Sequence, residues 1–222
     1  MRVVESRDDE ILDVELEESL LAKNRELARR NREMLDSKGV IAVDVMGSIG
    51  SGKTTLIKQV VKRLKNRRSI AVIAGDLTTT IDADRIEEEG VQVVQVNTGK
   101  ECHLDANLVG KALDEIDLDR IDLLFIENVG NLICPGEFPL GAHKRAVVVS
   151  VTEGPYMVVK HPYIFLEATA AVVNKIDLAE AMGVDPRKLG EDVIKINPSA
   201  KVVYTNALSG EGVDRLIEAL EI

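Results

Sequence analysis

Tryptophan is absent from the 222-residue chain, and aromatic residues make up only 3% of it, so aliphatic side chains must build the core. Cysteine is nearly absent too. The two present, Cys102 and Cys134, do not make a disulfide framework, and in a reducing compartment a structural disulfide is not expected of them. Basic residues are in deficit: 28 Lys and Arg against 38 Asp and Glu give a formal net charge of −10. That balance argues against nucleic acid as a partner, because affinity for a phosphate backbone rests on clustered cations. The short basic patch Lys62, Arg63, Lys65, Arg67 and Arg68 closes a predicted helix, where cations suit the dipole, and reads as a solvated face. No apolar run approaches membrane-spanning length, so no membrane partner is expected. The opening stretch MRVVESRDDEILDVELEE lacks a signal peptide's apolar run and small-residue cleavage site, so the expected location is cytoplasmic. Repeats and low-complexity tracts are also missing, and the length suits one substantial domain with an appendage.

What is present is concentrated in Val40 to Thr55, VIAVDVMGSIGSGKTT. Gly47, Gly52, Lys53 and Thr54 meet the phosphate-loop pattern G-x-x-x-x-G-K-S/T, with Ser48, Gly50 and Ser51 inside the loop and Thr55 just after it. The context fits: Val40 to Met46 is apolar enough for a buried parallel strand, and Thr55 to Leu64 has helical spacing. Glycines at 47, 50 and 52 let successive N–H groups turn inward as an anion nest at a helix N-terminus. Lys53 would reach the outer phosphates, and the Thr54 hydroxyl would bind the Mg²⁺ that bridges them.

The rest of the chain is read relative to that loop. Glu10 to Ser37 carries apolar positions at Ile11, Val14, Leu21, Leu27, Ala28, Met34 and Leu35, an uneven amphipathic helix that Gly39 ends. It packs back on the domain, pairs with another subunit, or offers a groove ligand to a partner. A second strand, Ser69 to Ala74, leads into Gly75 and Asp76. Asp76 either joins the Mg²⁺ shell and orients attacking water, or caps the segment after it; Asp82 and Asp84 read as helix-start residues. Val91 to Val96 is a third strand. The fourth, Ile121 to Ile126, closes on Glu127, Asn128, Val129 and Gly130, an acid with glycine three positions on. Glu127 would hold Mg²⁺, and the Gly130 amide would sense the γ-phosphate. Lys53, Asp76 and Glu127 are thus the candidate catalytic set.

Two further strands, Ala146 to Val151 and Ala170 to Val173, precede Asn174, Lys175, Ile176 and Asp177, an N-K-x-D tetrad. An aspartate carboxylate accepts two hydrogen bonds from guanine N1–H and its exocyclic amine, whereas adenine presents an acceptor there, so the tetrad selects GTP and GDP over adenine nucleotides. A last strand, Lys201 to Thr205, runs into small residues that would bring the N–H groups of Ala207 and Leu208 to the guanine O6. Val213 to Ile222 is a closing helix. Alternating strands and helices predict an α/β fold: a mainly parallel, doubly wound P-loop NTPase sheet flanked by helices, spanning 39–222, with an N-terminal helical appendage over 1–38.

Cys102 and His103 are adjacent, and Cys134 lies four residues after Gly130. Both segments follow parallel strands and emerge on the nucleotide side of the sheet. Neighbours in a regular helix diverge, so Cys102 and His103 would need an irregular segment to bind one ion. Two thiolates and an imidazole suit Ni²⁺ or Zn²⁺ and leave a position open. The alternative is two unrelated buried cysteines and a surface histidine.

The combination GSIGSGKTT, NTGKECHLDA, FIENVGNLICP and VVNKIDLA resembles the HypB family, GTPases that assist nickel insertion into nickel–iron hydrogenase, over about Gly39 to Ile222. The related urease-associated GTPases carry C-P-H in place of E-C-H. The resemblance implies a Mg²⁺-dependent GTPase whose Cys102, His103 and Cys134 form a metal site at a nucleotide- and metal-dependent homodimer interface. It implies as partners a HypA-type nickel metallochaperone and the hydrogenase large-subunit precursor. Some relatives begin with a cysteine- or histidine-rich nickel store; this N-terminus has neither. His143 and His161 read as solvated loop histidines. Two other readings stand beside this one: a GTPase chaperone for a urease-type or cobalamin-type metalloenzyme, and a nucleotide-locked dimerisation module with negligible turnover.

Overall fold

A computed structural model describes residues 14–76, 80–99 and 101–222. Residues 10–13 of the expected N-terminal helix, Ile11 among them, and 77–79 of the stretch rich in capping residues lie outside the described residues. Among the described residues seven strands form one sheet: β1 (Ile41–Gly47), β2 (Ile70–Asp76), β3 (Gln92–Asn97), β4 (Leu123–Glu127), β5 (Lys144–Ser150), β6 (Ala170–Asn174) and β7 (Lys201–Thr205). Their order is β3-β2-β4-β1-β5-β6-β7, and every pairing is parallel. Parallel strands are covered on both faces, which is why β4 and β6 are continuous apolar runs buried along their whole length. From β1 the chain builds outward in both directions. That central switch of direction opens a crevice beyond the carboxyl ends of β1 and β4, the usual ligand position in such sheets.

Helices α2 (Lys53–Leu64) and α8 (Val213–Leu220) cover one face, with Leu56, Ile57, Val60, Leu216 and Leu220 packed on Val43, Val45 and Phe125. The other face carries two separate apolar clusters. One lies under α1 (Val14–Lys38) and α4 (Ala106–Asp114), around Leu35, Ala42, Ile73, Val109 and Leu124; the other lies under α7 (Pro186–Ile196), around Val147, Val173, Leu189 and Val193. Short helices α3 (Ile81–Glu87), α5 (Met157–Lys160) and α6 (Ala179–Met182) sit in the connections.

The unevenness of the α1 pattern has a physical cause. Of its apolar positions with described burial, Ala28 and Leu35 are buried, whereas Met34 is exposed. Amides complete the attachment: Asn24 donates to Pro139 O (2.9 Å) and accepts from Ala106 N (2.8 Å), and Asn31 donates to Ala106 O (2.8 Å) and Leu140 O (3.1 Å). The helix therefore lies along its own domain. His143 departs from its expected role as a solvated histidine. It is half-buried, its Nδ1 accepts from Ala42 N (3.0 Å), and its Nε2 meets Asp36 of α1 (2.8 Å).

Asp44, inside β1, is 2% exposed and accepts from Asn128 Nδ2 at 3.3 Å. Burial lifts its pKa to about 6 against the opposing pull of Arg145. An unfolded chain ionises this acid near its ordinary value, so between about pH 4 and 6 the folded state binds the extra proton and stability falls as pH rises. Asp44→Asn keeps the acceptor and removes that cost. It should raise the unfolding free energy at pH 8 by up to about 3 kcal/mol, with the gain vanishing at pH 4. Denaturant titrations at the two pH values check this, and a gain equal at both would contradict it.

Candidate nucleotide and metal site

β1 ends and α2 begins within six residues, and the turn between them closes only because Gly47, Gly50 and Gly52 take φ of 152°, 75° and 102°. A Cβ at Gly47 would overlap the Val148 carbonyl oxygen, and one at Gly52 the Asn174 amide. Lys53 Nζ reaches back across the loop and donates to Gly47 O and Ser48 O, each at 3.0 Å. It is 7% exposed, and burial lowers its pKa, while the nearby acids, Glu127 first among them, oppose the shift.

Glu127 comes off the end of β4 directly beneath Lys53 and Thr54. Its Oε1 accepts from Thr54 Oγ1 at 2.6 Å, while Oε2 is buried without a hydrogen-bond partner among the described residues. Burial lifts its pKa to about 7 against the Thr54 bond and the Lys53 charge. Asp76, at the end of β2, lines the same cleft of about 370 Å³, as do Thr55, Gly130 and Lys175. That volume is in the range of small-molecule sites. A hydroxyl, a buried carboxylate with an orphaned oxygen, and a second carboxylate form a hard oxygen donor set that fits Mg²⁺. Asp82 and Arg85, from the first turns of α3, line this cleft too, and Arg85 donates to Thr55 Oγ1 (3.1 Å) and Asp82 Oδ1 (3.4 Å). Asp82 is therefore more than the helix-start residue expected of it, and Arg85 joins the site without belonging to any motif. Their i, i+3 spacing just beyond the carboxyl end of β2 is the signal the sequence offers.

The tetrad residues divide their roles. Asn174 is buried and ties three segments together: Nδ2 donates to Ser51 O (2.8 Å), and Oδ1 accepts from Thr205 Oγ1 (2.9 Å) and Ala207 N (3.0 Å). Lys175 takes the left-handed conformation (φ 60°), which turns the chain so that Asp177 stands exposed in the short turn Ile176–Leu178. The Ala207 and Leu208 N–H groups are both engaged inside the protein, with Asn174 Oδ1 and Asn206 Oδ1 (3.0 Å each). Leu208 is 84% exposed.

Gly130 presses on the phosphate loop; a Cβ there would collide with the Ile49 side chain and stand 2.9 Å from Ile49 N. The next residue, Asn131, forms an antiparallel bridge with Gly47, and its side chain donates to Cys102 O (3.3 Å) and accepts from Ile133 N (2.9 Å). Cys134 then opens the turn Cys134–Gly136. Cys102 and His103 sit in the irregular segment ahead of α4, whose N-cap is Asp105, so adjacent side chains can converge. The two sulfurs are 2.9 Å apart, Cys102 Sγ is 3.8 Å from His103 Nδ1, and the ligand atoms of all three residues lie within 4.8 Å of one another. With metal–ligand bonds of about 2.0–2.3 Å, small side-chain shifts would let one soft or borderline ion touch all three. The His103 ring stacks on Phe138 at 3.8 Å, and burial lowers its pKa, which favours the neutral imidazole a metal needs. The hydrogen bond between the two free thiols pushes the pKa of Cys134 up. His143 and His161 lie outside the cluster. A second asparagine, Asn128, accepts from Leu104 N (3.2 Å) and Val129 N (3.0 Å). Asn128 and Asn131 therefore bind the cysteine–histidine segment to the β4 terminus, a link no sequence motif announces.

The family model for the CobW/HypB/UreG nucleotide-binding domain matches residues 41–204. The chain is similar to the probable hydrogenase maturation factor HypB of Methanocaldococcus jannaschii, at 52% identity over 208 residues and 94% of each chain. Its fold is similar to the crystal structure of hydrogenase maturation factor HypB from Archaeoglobus fulgidus, with a TM-score of 0.84 and 46% identity over 90% of this chain and 98% of that one. It is also similar to HypB from Helicobacter pylori in complex with nickel, with a TM-score of 0.84 and 34% identity over 90% and 94% of the two chains.

Asn174→Ala would leave Ser51 O, the Thr205 hydroxyl and Ala207 N–H without their buried partner. The unfolding free energy should fall by about 3 kcal/mol, and nucleotide affinity should fall with it because the phosphate loop loses its brace. Denaturant titration and fluorescent-nucleotide binding read the two effects. Wild-type values in both would show that the amide braces nothing.

Proposed function

The chain belongs to the CobW/HypB/UreG family of nucleotide-binding domains and, within it, to the HypB hydrogenase maturation factors, and on that premise we propose that it is a GTP-hydrolysing metallochaperone. It couples GTP binding and hydrolysis to delivery of nickel during nickel–iron hydrogenase maturation. One observation carries this reading: the segment from Glu127 to Cys134 lies against the phosphate loop at one end and in the cysteine–histidine cluster at the other.

The loop amides and Lys53 bind the phosphate oxygens and hold them in line for hydrolysis. Thr54, Glu127 and Asp76 would hold Mg²⁺, which when bound would supply charge that neutralises the phosphates. Asp76 orients the attacking water. Asp177, exposed at the rim, accepts from guanine N1–H and the exocyclic amine. Cys102, His103 and Cys134 take Ni²⁺ as cargo, with Zn²⁺ as the competing occupant; the H. pylori relative is a complex with nickel. Three ligands per chain leave coordination positions for a second copy, and the exposed apolar side chains Ile49 and Ile133, 80% and 60% accessible beside the two sites, support a nucleotide- and metal-dependent homodimer. A HypA-type metallochaperone and the hydrogenase large-subunit precursor are the partners this role requires. The working unit is the 39–222 GTPase domain with 1–38 as a helical segment, and its place is the cytoplasm. Among the described residues no helix is long and apolar enough to cross a membrane.

Phosphate release should be measurable with GTP and not with ATP. Asp177→Asn should weaken GTP binding by about 100-fold, the equivalent of two hydrogen bonds to a charged acceptor. Equal turnover of ATP, or undiminished GTP binding by the variant, would contradict the reading.

A further inference from the structure

A second cavity of about 430 Å³ lies between α1 and the segment 139–145, and it shares no lining residue with the nucleotide cleft. It lies toward the amino ends of the strands, where β5 begins, and its inner wall holds the buried Asp44. Arg25, Arg29 and Arg32, at i, i+4 and i+7, face it from α1, and Lys144 and Arg145 face them from β5. Five cations thus line a concavity in a chain whose formal net charge is −10, against two carboxylates, Asp44 and Glu167.

The local charge is poorly compensated. Arg25 has no ion pair among the described residues. Arg32 donates to the backbone carbonyls of Gly141 (2.8 Å) and Ala142, which fix the guanidinium without cancelling its charge. Arg29 pairs with Glu33 where both side chains are exposed, so that pair contributes little; Lys144 meets the exposed Glu221, and Arg145 meets the exposed Glu167 and acts on the buried Asp44, which leaves Arg25, Arg29 and Arg32 as the weakly compensated cations. A concave wall concentrates such a field, and a guanidinium held in place is pre-organised for carboxylate or phosphate oxygens.

We propose that this cavity is a binding site for a small multivalent anion, a phosphate- or carboxylate-bearing molecule whose charged groups bridge the α1 arginines and the start of β5. The volume suits a small molecule, and cations on two walls call for at least two anionic groups. The nucleotide cleft lies at the other edge of the sheet, so this site is independent of the function assigned to that cleft.

The test uses the full chain, free of metal and saturated with GDP so that the nucleotide cleft is filled. Pyrophosphate and citrate are titrated into it by calorimetry. One equivalent of at least one of them should bind, and binding should weaken as salt is raised. Arg25→Ala/Arg29→Ala, at exposed positions that leave the fold intact, should weaken binding at least tenfold with GDP affinity unchanged. Arg30→Ala, on the same helix but outside the cavity, should bind as wild type. Binding of pyrophosphate alone would mark a phosphate site, and of citrate alone a carboxylate site. No saturable binding of either anion, or equal losses in the double variant and Arg30→Ala, would overturn the proposal and leave the arginines a solvated helix face.

Discussion

The antiparallel bridge between Gly47 and Asn131 is the constraint on which the site depends. It lashes the chain leaving β4 to the first residue of the phosphate loop, next to the point where Gly130 rests on Ile49 with no room for a side chain. Lys53 Nζ must leave the Gly47 and Ser48 carbonyls to meet a phosphate. Movement of the loop would be passed through the Gly47 bridge to Asn131, and through its amide to the Cys102 carbonyl. Cys134 lies three residues further on. The two sites share a mechanical element, which is the requirement for one ligand to be felt by another.

Electrostatics makes this edge responsive. Lys53 and Glu127 are buried, and each is shifted toward its neutral form by burial, while each favours the charged form of the other. Water-excluded charges of this kind are stabilised by whatever arrives to complete them. On the proposed reading, a nucleotide with its cation would supply both missing signs, phosphate for Lys53 and a divalent ion for Glu127 and Thr54. Asp44 and Arg145 are similarly buried further down the sheet, on the central strands β1 and β5.

Much of this could be read from the residues. Continuous aliphatic runs marked the five inner strands to within about two residues, because strands buried on both faces tolerate little else, while the half-exposed edge strands β3 and β7 were marked by shorter valine runs among polar residues. The phosphate loop was legible because positive φ at three close positions leaves glycine as the economical choice. The attachment of α1 was not legible: Asn24 and Asn31 are polar letters on the buried face, and their worth lies in carbonyls more than 70 residues away. The same limit hid Asn128 and Asn131. Asn174 looked like a base-recognition residue from its motif, and its three bonds inside the protein depend on Ser51, Thr205 and Ala207 converging, which spacing does not reveal. Arg85 stayed hidden because its meaning comes from the cleft across from it.

The central claim is that nucleotide state and metal affinity are joined through the segment from Glu127 to Cys134. The most direct test is the Ni²⁺ dissociation constant of the full chain, measured once saturated with GDP and once with a non-hydrolysable GTP analogue. The account predicts two values that differ by at least fivefold, a coupling of about 1 kcal/mol. Equal constants in the two states would contradict it.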